Sequence, residues 1–325
     1  MTLASVTGLL VGAAYGFVSQ RGAFCMNSGF RVVVTKRDFT KVKAYVLAIA
    51  VQLIAVPLVF AAGLAEPTYP ALYPLGAVLG GLLFGASMRW AGGCAAGVLY
   101  KVGEGSAAAL PAVAGMALGA SALAAGPLGG LRESIQSVGG GPAAGLVGSE
   151  LGIPWALAAL IGAALIVVLL RTRRATAGAW QWRRTGLLIG LVGVAAWPAA
   201  ALAERDFGMA VIPGAVALFS GPVANLLTWD VLLVVGIPIG AFAAARSAGP
   251  VKAGRIDLRT AAKRFAGGLG LGVGASLAAG CTVGHGLTGL PLFAPGSLLA
   301  MAAIFGGSAL TALPALQAAK RQPNP

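Results

Sequence analysis

Charged side chains are scarce in this sequence, and acidic ones are the scarcest. Only 10% of the 325 residues are charged, with 9 acidic and 23 basic side chains, whereas about 25% of an average soluble domain is charged. A soluble domain of this length covers its surface with polar side chains, so this composition excludes that class. A mean hydropathy of +0.87 and 58% hydrophobic residues instead predict an integral membrane protein.

Cysteine and histidine are also rare, with three and one residues respectively. Three widely spaced cysteines do not form a disulfide framework, and the close Cys-x-x-Cys spacing typical of zinc sites is absent. No Gly-x-x-x-x-Gly-Lys-Ser/Thr motif occurs, so the chain does not itself hydrolyse ATP. The apolar runs contain few carboxylates for a proton relay. We therefore expect no cofactor, no bound metal and no enzyme activity, and any transport to run downhill.

Nine apolar runs are long enough to cross a bilayer as helices, which takes roughly 20 residues each. They cover 3–18, 44–63, 75–91, 107–125, 152–170, 185–203, 226–245, 264–279 and 296–317. Four stretches between them are too short or too Gly-rich to span, at 21–30, 92–103, 205–217 and 280–290. The first run has no signal-peptide cleavage pattern and is expected to be retained. The expected fold is an all-α membrane protein of about nine transmembrane helices plus short broken or re-entrant helices.

The basic residues are clustered rather than dispersed. Eighteen of the 23 Lys and Arg lie in 31–43, 171–184, 246–264 and the pair Lys320-Arg321. Cytoplasmic loops carry such clusters, so we expect a bacterial inner-membrane protein with its N-terminus outside and its C-terminus in the cytoplasm. The outer loops are then Glu66–Pro74 and the segment 126–151. This distribution argues against nucleic acid as a partner, despite the net charge of +14.

An internal repeat supports this arrangement. A shift of 187 residues superposes Gly80-Gly81-Leu82 on Gly267-Gly268-Leu269 and Gly93-Cys94 on Gly280-Cys281. On the predicted topology the third span runs inward and its repeat, the eighth, runs outward. The sequence therefore predicts one domain over 1–325, with inverted halves of about 1–126 and 185–317 and a connector helix at 152–170. Inverted repeats with broken central segments are typical of transporters.

All three cysteines fall in the short, Gly-rich segments, as Cys25, Cys94 and Cys281. A short helix that begins just after Gly93 or Gly280 would point its free N–H groups toward the centre of the membrane. Such helix N-termini favour anions. A thiol is a weak hydrogen-bond donor, and a soft sulfur atom can accept its hydrogen bond. The cysteines are therefore predicted to line a path for a small sulfur-containing anion. Buried cysteine that serves only as a small apolar side chain is the alternative.

Three further polar residues are candidates for the binding site, and a fourth is interpreted as structural. His285 follows Cys281 by four residues, and it either orients a thiol, takes a proton, or is a satisfied buried polar group. Arg21 and Lys101 lie near Cys25 and Cys94 and could attract an anion, although basic side chains at span ends also snorkel to the interface. Arg205, between Glu204 and Asp206, is interpreted as part of a local structural cluster.

With these residues assembled, the chain resembles the YeeE/YedE family of membrane proteins. The resemblance rests on Ser19-Gln-Arg-Gly-Ala-Phe-Cys25-Met-Asn, Gly92-Gly-Cys94-Ala-Ala-Gly-Val-Leu-Tyr and Ala279-Gly-Cys281-Thr-Val-Gly-His-Gly-Leu. It implies an hourglass-like fold, thiosulfate as substrate, and a relay through the three matching cysteines. It also implies a small cytosolic sulfur-carrier protein as a partner, and some relatives are linked to selenium.

Other functions stay open at this point. The solute could be another sulfur or selenium species, the protein could be a membrane sulfurtransferase that forms a cysteine persulfide, and a soft Cys/His/Met site could carry Cu(I). Within the relay, the repeat mates Cys94 and Cys281 are expected to face one another. Cys25 has no thiol mate, since its counterpart lies near Met209, and it is expected to lie toward the inner face.

Overall fold

The computed structural model describes residues 3–143, 154–172, 175–222, 226–251, 254 and 256–321. The later part of the outer segment 126–151, from residue 144, and the first two residues of the connector 152–170 lie outside the described residues. The described α-helices are α1 (Leu3–Arg21), α2 (Met26–Lys36), α3 (Thr40–Ala61), α4 (Pro74–Ala91), α5 (Ala95–Gly103), α6 (Ala109–Ala124), α7 (Gly129–Ser137), α8 (Trp155–Leu170), α9 (Trp182–Ala201), α10 (Ile212–Ser220), α11 (Trp229–Arg246), α12 (Leu258–Ala278) and α13 (Pro295–Arg321).

The nine predicted spans coincide in position with α1, α3, α4, α6, α8, α9, α11, α12 and α13. By length and composition, five helical stretches in the described part of the chain are able to cross a membrane: Thr40–Ala61, Pro74–Gly103, Trp182–Ala201, Trp229–Arg246 and Pro295–Pro314. The bent pair α6 and α7, with 69° between its helices, makes a sixth if it counts as one span. The protein is therefore an all-α, multi-pass membrane protein, and the number of nine crossings stays a prediction.

Glycines fix how the helices pack. Gly8, Gly12 and Gly16 of α1 face the backbone carbonyls of Trp229, Leu233 and Ile237 of α11, and an added Cβ would lie 2.4, 2.1 and 1.9 Å from those oxygens. Only glycine allows so close an approach of two backbones. Because both series ascend together, α1 and α11 run parallel. In the same way Gly186 of α9 abuts Ala44 of α3, and Gly190 abuts Ala48, so α9 and α3 run parallel.

Other helix pairs run antiparallel. Gly76 of α4 lies on the Leu277 carbonyl of α12, whereas Gly267 of α12 lies on Ala91 at the other end of α4. The Thr7 hydroxyl near the start of α1 donates to the Ala199 carbonyl near the end of α9. Four helix pairs are extensively packed, with the two helices of each pair in contact: α1 with α11, α9 with α3, α6 with α12, and α13 with α4. The shift of 187 residues relates the α1/α11 pair to the α9/α3 pair, and the α6/α12 pair to the α13/α4 pair.

Two breaks in the helices lead to the short central segments. The helix α4 ends at Gly92 with a φ of 82°, and α12 ends at Ala279 with a φ of 60°. This left-handed conformation is a common way to end a helix and suits glycine far better than alanine. Beyond the breaks, α5 follows α4, and a π-helical segment at Gly284–Gly289 with a 3₁₀ turn at Leu290–Leu292 follows α12.

The structure revises two boundaries of the short stretches. The stretch 21–30 divides into the end of α1, a turn, and the start of α2, which extends to Lys36 and so takes up half of the basic segment 31–43. In the stretch 205–217 the helix α10 begins only at Ile212. Two small sheets complete the described elements, with β1 (Ala71–Leu72) paired to β2 (Gly141–Ala143), and β3 (Thr176–Ala177) paired to β4 (Trp180–Gln181).

Candidate functional site

Each of the three cysteines lies where a short helix begins. Cys25 is the N-cap of α2, Cys94 is the N-cap of α5, and the Cys281 carbonyl accepts a hydrogen bond of 2.9 Å from the His285 N–H. All three thiols are free and buried in the main apolar core. The first N–H groups of a helix have no partner within it, so three sets of backbone donors begin at the thiols.

Cys25 and Cys94 form a close pair. Their Sγ atoms lie 4.0 Å apart, within hydrogen-bond range for sulfur, and either thiol can donate. Gly97, one turn into α5, lies against both: a Cβ at this position would be 2.6 Å from the Cys25 Sγ and 3.2 Å from the Cys94 Sγ. The space that the two thiols occupy therefore depends on glycine at position 97.

Cys281 approaches this pair through the next residue. The Thr282 side chain lies beside the Cys94 thiol, and the Thr282 carbonyl accepts a 2.5 Å hydrogen bond from the buried Tyr45 hydroxyl. The Cys281 thiol accepts from the Val283 N–H at 3.4 Å. The thiol of Cys94 is hydrogen-bonded to that of Cys25 in the described part of the chain. That Cys94 also faces its repeat mate Cys281 stays a prediction.

His285 is a fully bonded, buried side chain. Its Nε2 lies 2.8 Å from the Ala278 carbonyl and its Nδ1 lies 3.0 Å from the Ser297 hydroxyl. A carbonyl can only accept, so Nε2 carries a proton, and in the neutral ring Nδ1 accepts from Ser297. These bonds tie the end of α12 to the start of α13. An added Cβ at Gly280 would lie 2.8 Å from the imidazole ring, so Gly280 makes room for it.

The other predicted site residues have structural contacts of their own. Gly93 packs on the first turn of α5, where an added Cβ would lie 2.9 Å from the Val98 nitrogen. The Lys101 ammonium donates to the Gly92 carbonyl at the end of α4, and it lies within electrostatic range of the Cys25 thiol. Arg21 lies apart from the thiols, since its Nη2 donates to the exposed Ser247 hydroxyl at 2.9 Å.

A cavity of about 860 Å³ reaches Cys281 from one end of the molecule; we call it the large cavity. Its walls come from the loop before α4, from α7, from the start of α10 and from the end of α12. Arg132 and Arg205 are the charged side chains that line it among the described residues. Arg205 pairs with Asp230 of α11, at 2.8 Å from Nε to Oδ1. Arg205 therefore has a structural role, as predicted, but its ion pair among the described residues is with Asp230 rather than with Glu204 or Asp206.

A smaller cavity of about 500 Å³ lies at the opposite end. Its walls include Gln20 at the end of α1, Glu104 after α5, and Ala245 at the end of α11. Asp230 at the start of α11 binds Arg205, which lines the large cavity. Ala245 lies some 15 residues later in the same helix, roughly 22 Å further along its axis. The two cavities are therefore at opposite ends of α11. The described parts of the basic segments 31–43, 171–184 and 246–264 adjoin the ends of helices on the side of this smaller cavity.

The sequence did not identify the residue that takes the place of Cys25 in the second half of the chain. Gly284 is the repeat mate of Gly97, and the nearest side-chain atom to a Cβ built on it is the Ala210 Cβ, at 3.8 Å. Ala210 therefore stands against Gly284 as Cys25 stands against Gly97, one position after the predicted counterpart Met209. Ala210 and Gly284 both line the large cavity. Within the described residues, no three His, Cys, Asp or Glu side chains are grouped to hold a metal ion.

Comparisons with known proteins give the family of the chain. The family described as "Sulphur transport" matches residues 21–310. A protein named thiosulfate transporter TsuA from Spirochaeta thermophila is 36% identical over 313 residues, covering 90% of this chain and 94% of its own length. The Escherichia coli protein of the same name is 31% identical over 303 residues, covering 87% and 86% respectively. A probable transporter, YedE of Escherichia coli, is 34% identical over 97 residues, which is 30% of this chain.

Proposed function

The chain belongs to the sulphur transport family, and we propose that it carries thiosulfate into the cytoplasm past the thiols of Cys25, Cys94 and Cys281. The family and the relatives are named for transport, so the protein is a transporter and not an enzyme. One observation carries the proposed path. Three cysteines from three separate segments gather in the core, each at the start of a short helix, and the large cavity leads to one of them.

The directions of the helices support an inverted repeat within a single domain. The mates α4 and α12 run antiparallel, as do α1 and α9, and a two-fold axis in the membrane plane relates antiparallel mates. The nine longer helices then alternate in direction, with halves of about 1–126 and 185–317 joined by α8. The two cavities at opposite ends give the molecule an hourglass-like profile. We therefore propose nine crossings, although fewer of the described helices are long and apolar enough by themselves to cross a membrane.

The charge distribution supports an orientation. The basic segments adjoin the end with the smaller cavity, so that end is assigned to the cytoplasm and the large cavity to the outside of the inner membrane. The N-terminus is then outside and the C-terminus inside. The thiosulfate anion enters through the large cavity, meets Cys281 first, and leaves past Cys94 and Cys25. A small cytosolic sulfur-carrier protein would receive it at the basic end.

The chemistry of the thiols suits transient binding. A neutral thiol is a weak donor, so each contact with the terminal sulfur of thiosulfate is easily made and broken. The N–H groups at the start of α2, α5 and the π-helical segment point toward the thiols and favour negative charge there. Lys101 and His285 act as positioning residues, because one caps α4 before Cys94 and the other fixes the break before Cys281. Gly93 and Gly280 leave room for these breaks.

Single replacement of each cysteine tests the proposal. We expect Cys25→Ala, Cys94→Ala and Cys281→Ala each to abolish thiosulfate-dependent growth, because a gap in the relay leaves the anion without a donor inside the core. The measurements are growth on thiosulfate as the sulfur source, uptake of labelled thiosulfate, and the amount of protein in the membrane. Met209→Leu, a change of similar volume at a buried thioether, serves as the control. Growth of all three cysteine variants at the wild-type rate would refute the relay.

A further inference from the structure

Arg132 lines the large cavity and has no part in the proposed relay. It lies on α7, whose other contacts hold the helix across the cavity wall. The Gln136 amide, one turn later on the same face, donates to the Ser276 and Leu277 carbonyls at 3.1 and 3.0 Å. These carbonyls belong to the last turn of α12, just before Cys281. Gln136 therefore anchors α7, the helix that carries Arg132, to the end of α12 just before Cys281.

The two arginines of the large cavity differ in what they already bind. Arg205 has its charge neutralised by Asp230, donates to the Phe207 and Gly208 carbonyls, and lies 5.0 Å from the centre of the Trp229 ring. These bonds hold the loop that leads to α10. Arg132 has no ion pair among the described residues, and its buried Nε has no hydrogen-bond partner there. No acidic side chain lines the cavity in the described part of the chain.

We propose that Arg132 is the specificity-determining residue that captures a small oxyanion in the large cavity and orients it toward Cys281. A guanidinium group presents a planar fork of donors that matches two oxygens of one oxyanion. The oxygens of thiosulfate would bind this fork, and its terminal sulfur would then point away from Arg132, toward the thiol. The inference rests on the proposed function, since it assumes that the anion enters from the large cavity.

Uptake kinetics of labelled thiosulfate in wild type, Arg132→Gln and Arg132→Lys test the inference. We expect Arg132→Gln to raise the KM about tenfold or more while the maximal rate stays near the wild-type value, because a charged hydrogen bond is lost from binding alone. Arg132→Lys keeps the charge but not the fork and is expected to fall between. Thermal stability of each purified variant is measured as well, and it should stay unchanged because Arg132 pairs with no described side chain.

Glu133→Gln is the matched control, because Glu133 is exposed on the same helix and does not line the cavity. We expect its KM to lie within about twofold of wild type, since exposed charges are largely screened at physiological salt. An unchanged KM in Arg132→Gln, with wild-type uptake intact and the cysteine variants inactive, would overturn this inference alone. A KM shift in Glu133→Gln as large as in Arg132→Gln would also overturn it, by showing a general effect of surface potential. Absence of thiosulfate uptake in wild type would overturn the proposed function itself.

Discussion

At the scale of single residues, the site depends as much on missing side chains as on the thiols. Gly97 leaves room for Cys25 and Cys94, Gly280 leaves room for His285, and a Cβ at Gly286 would overlap the Tyr45 hydroxyl, 1.4 Å away. Among these residues the sequence identified the cysteines, His285 and Gly280 as candidates. It carried no signal for Tyr45, because an ordinary tyrosine becomes part of a site only through contacts across the fold. Thr282 stood in the motif around Cys281, but no sequence feature assigned it a role.

Gly97→Ala tests whether the thiol pair needs its present geometry. The added methyl would lie 2.6 Å from the Cys25 Sγ, so the thiol must rotate away, which a single side chain can do without unfolding the protein. We expect thiosulfate uptake to fall about tenfold, the equivalent of roughly 1.4 kcal/mol, while the protein still accumulates in the membrane. Gly306→Ala is the control, since its Cβ would meet Leu82 at an ordinary 3.5 Å. Equal uptake by the two variants would contradict the prediction.

At the scale of elements, glycine seams decide which helices pair. The sequence showed the spacing of Gly8, Gly12 and Gly16, and of Gly236 and Gly240, which indicates packing faces without naming their partners. The structure pairs these two sets with each other: Gly236 and Gly240 of α11 lie on the Leu9 and Ala13 carbonyls of α1. Partners could not be predicted because many small-xxx-small faces in this Gly-rich chain are equivalent by spacing alone.

Gly12→Val tests the importance of the α1–α11 seam. Its Cβ would lie 2.1 Å from the Leu233 carbonyl oxygen, and a helix backbone cannot move aside as a thiol can. We expect a loss of stability of about 3 kcal/mol or more, at the upper end for overpacked interfaces, seen as a lower apparent melting temperature in detergent. Gly130→Ala, where a Cβ meets nothing within 4 Å, should melt like wild type. A stable Gly12→Val protein would show that the two helices separate without penalty.

At the scale of the whole molecule, the two cavities differ although the sequence carries matching glycines and cysteines at an offset of 187 residues. The large cavity reaches Cys281, whereas the walls of the smaller one include none of the three cysteines. Position 210 differs too, since alanine stands against Gly284 as Cys25 stands against Gly97. The large cavity therefore reaches a single thiol, whereas Cys25 and Cys94 form a closely packed pair.

Side-specific labelling tests this asymmetry together with the orientation. A membrane-impermeant, negatively charged methanethiosulfonate reagent added to intact cells is expected to modify Cys281, because the large cavity admits it from outside. The variant Cys25→Ala/Cys94→Ala should keep this labelling and Cys281→Ala should lose it, as read by mass spectrometry of the intact protein. Labelling of Cys25 from outside, with Cys281 protected, would reverse the proposed direction of the path.

The sequence by itself determined that this is a membrane protein and where its helices lie, and it predicted the inverted repeat, because hydropathy, charge clusters and identical glycines are local features of the chain. It also identified the three cysteines, since they lie in segments too short to cross a membrane. Only the tertiary structure decided that the Cys94 thiol lies against that of Cys25, that Arg205 pairs with Asp230, and that Arg132 lines the large cavity without an ion pair among the described residues. The two side-chain pairs join residues at least 25 positions apart in the chain, and the cavity forms where several separate segments meet. Sequence spacing does not specify which distant segments come together.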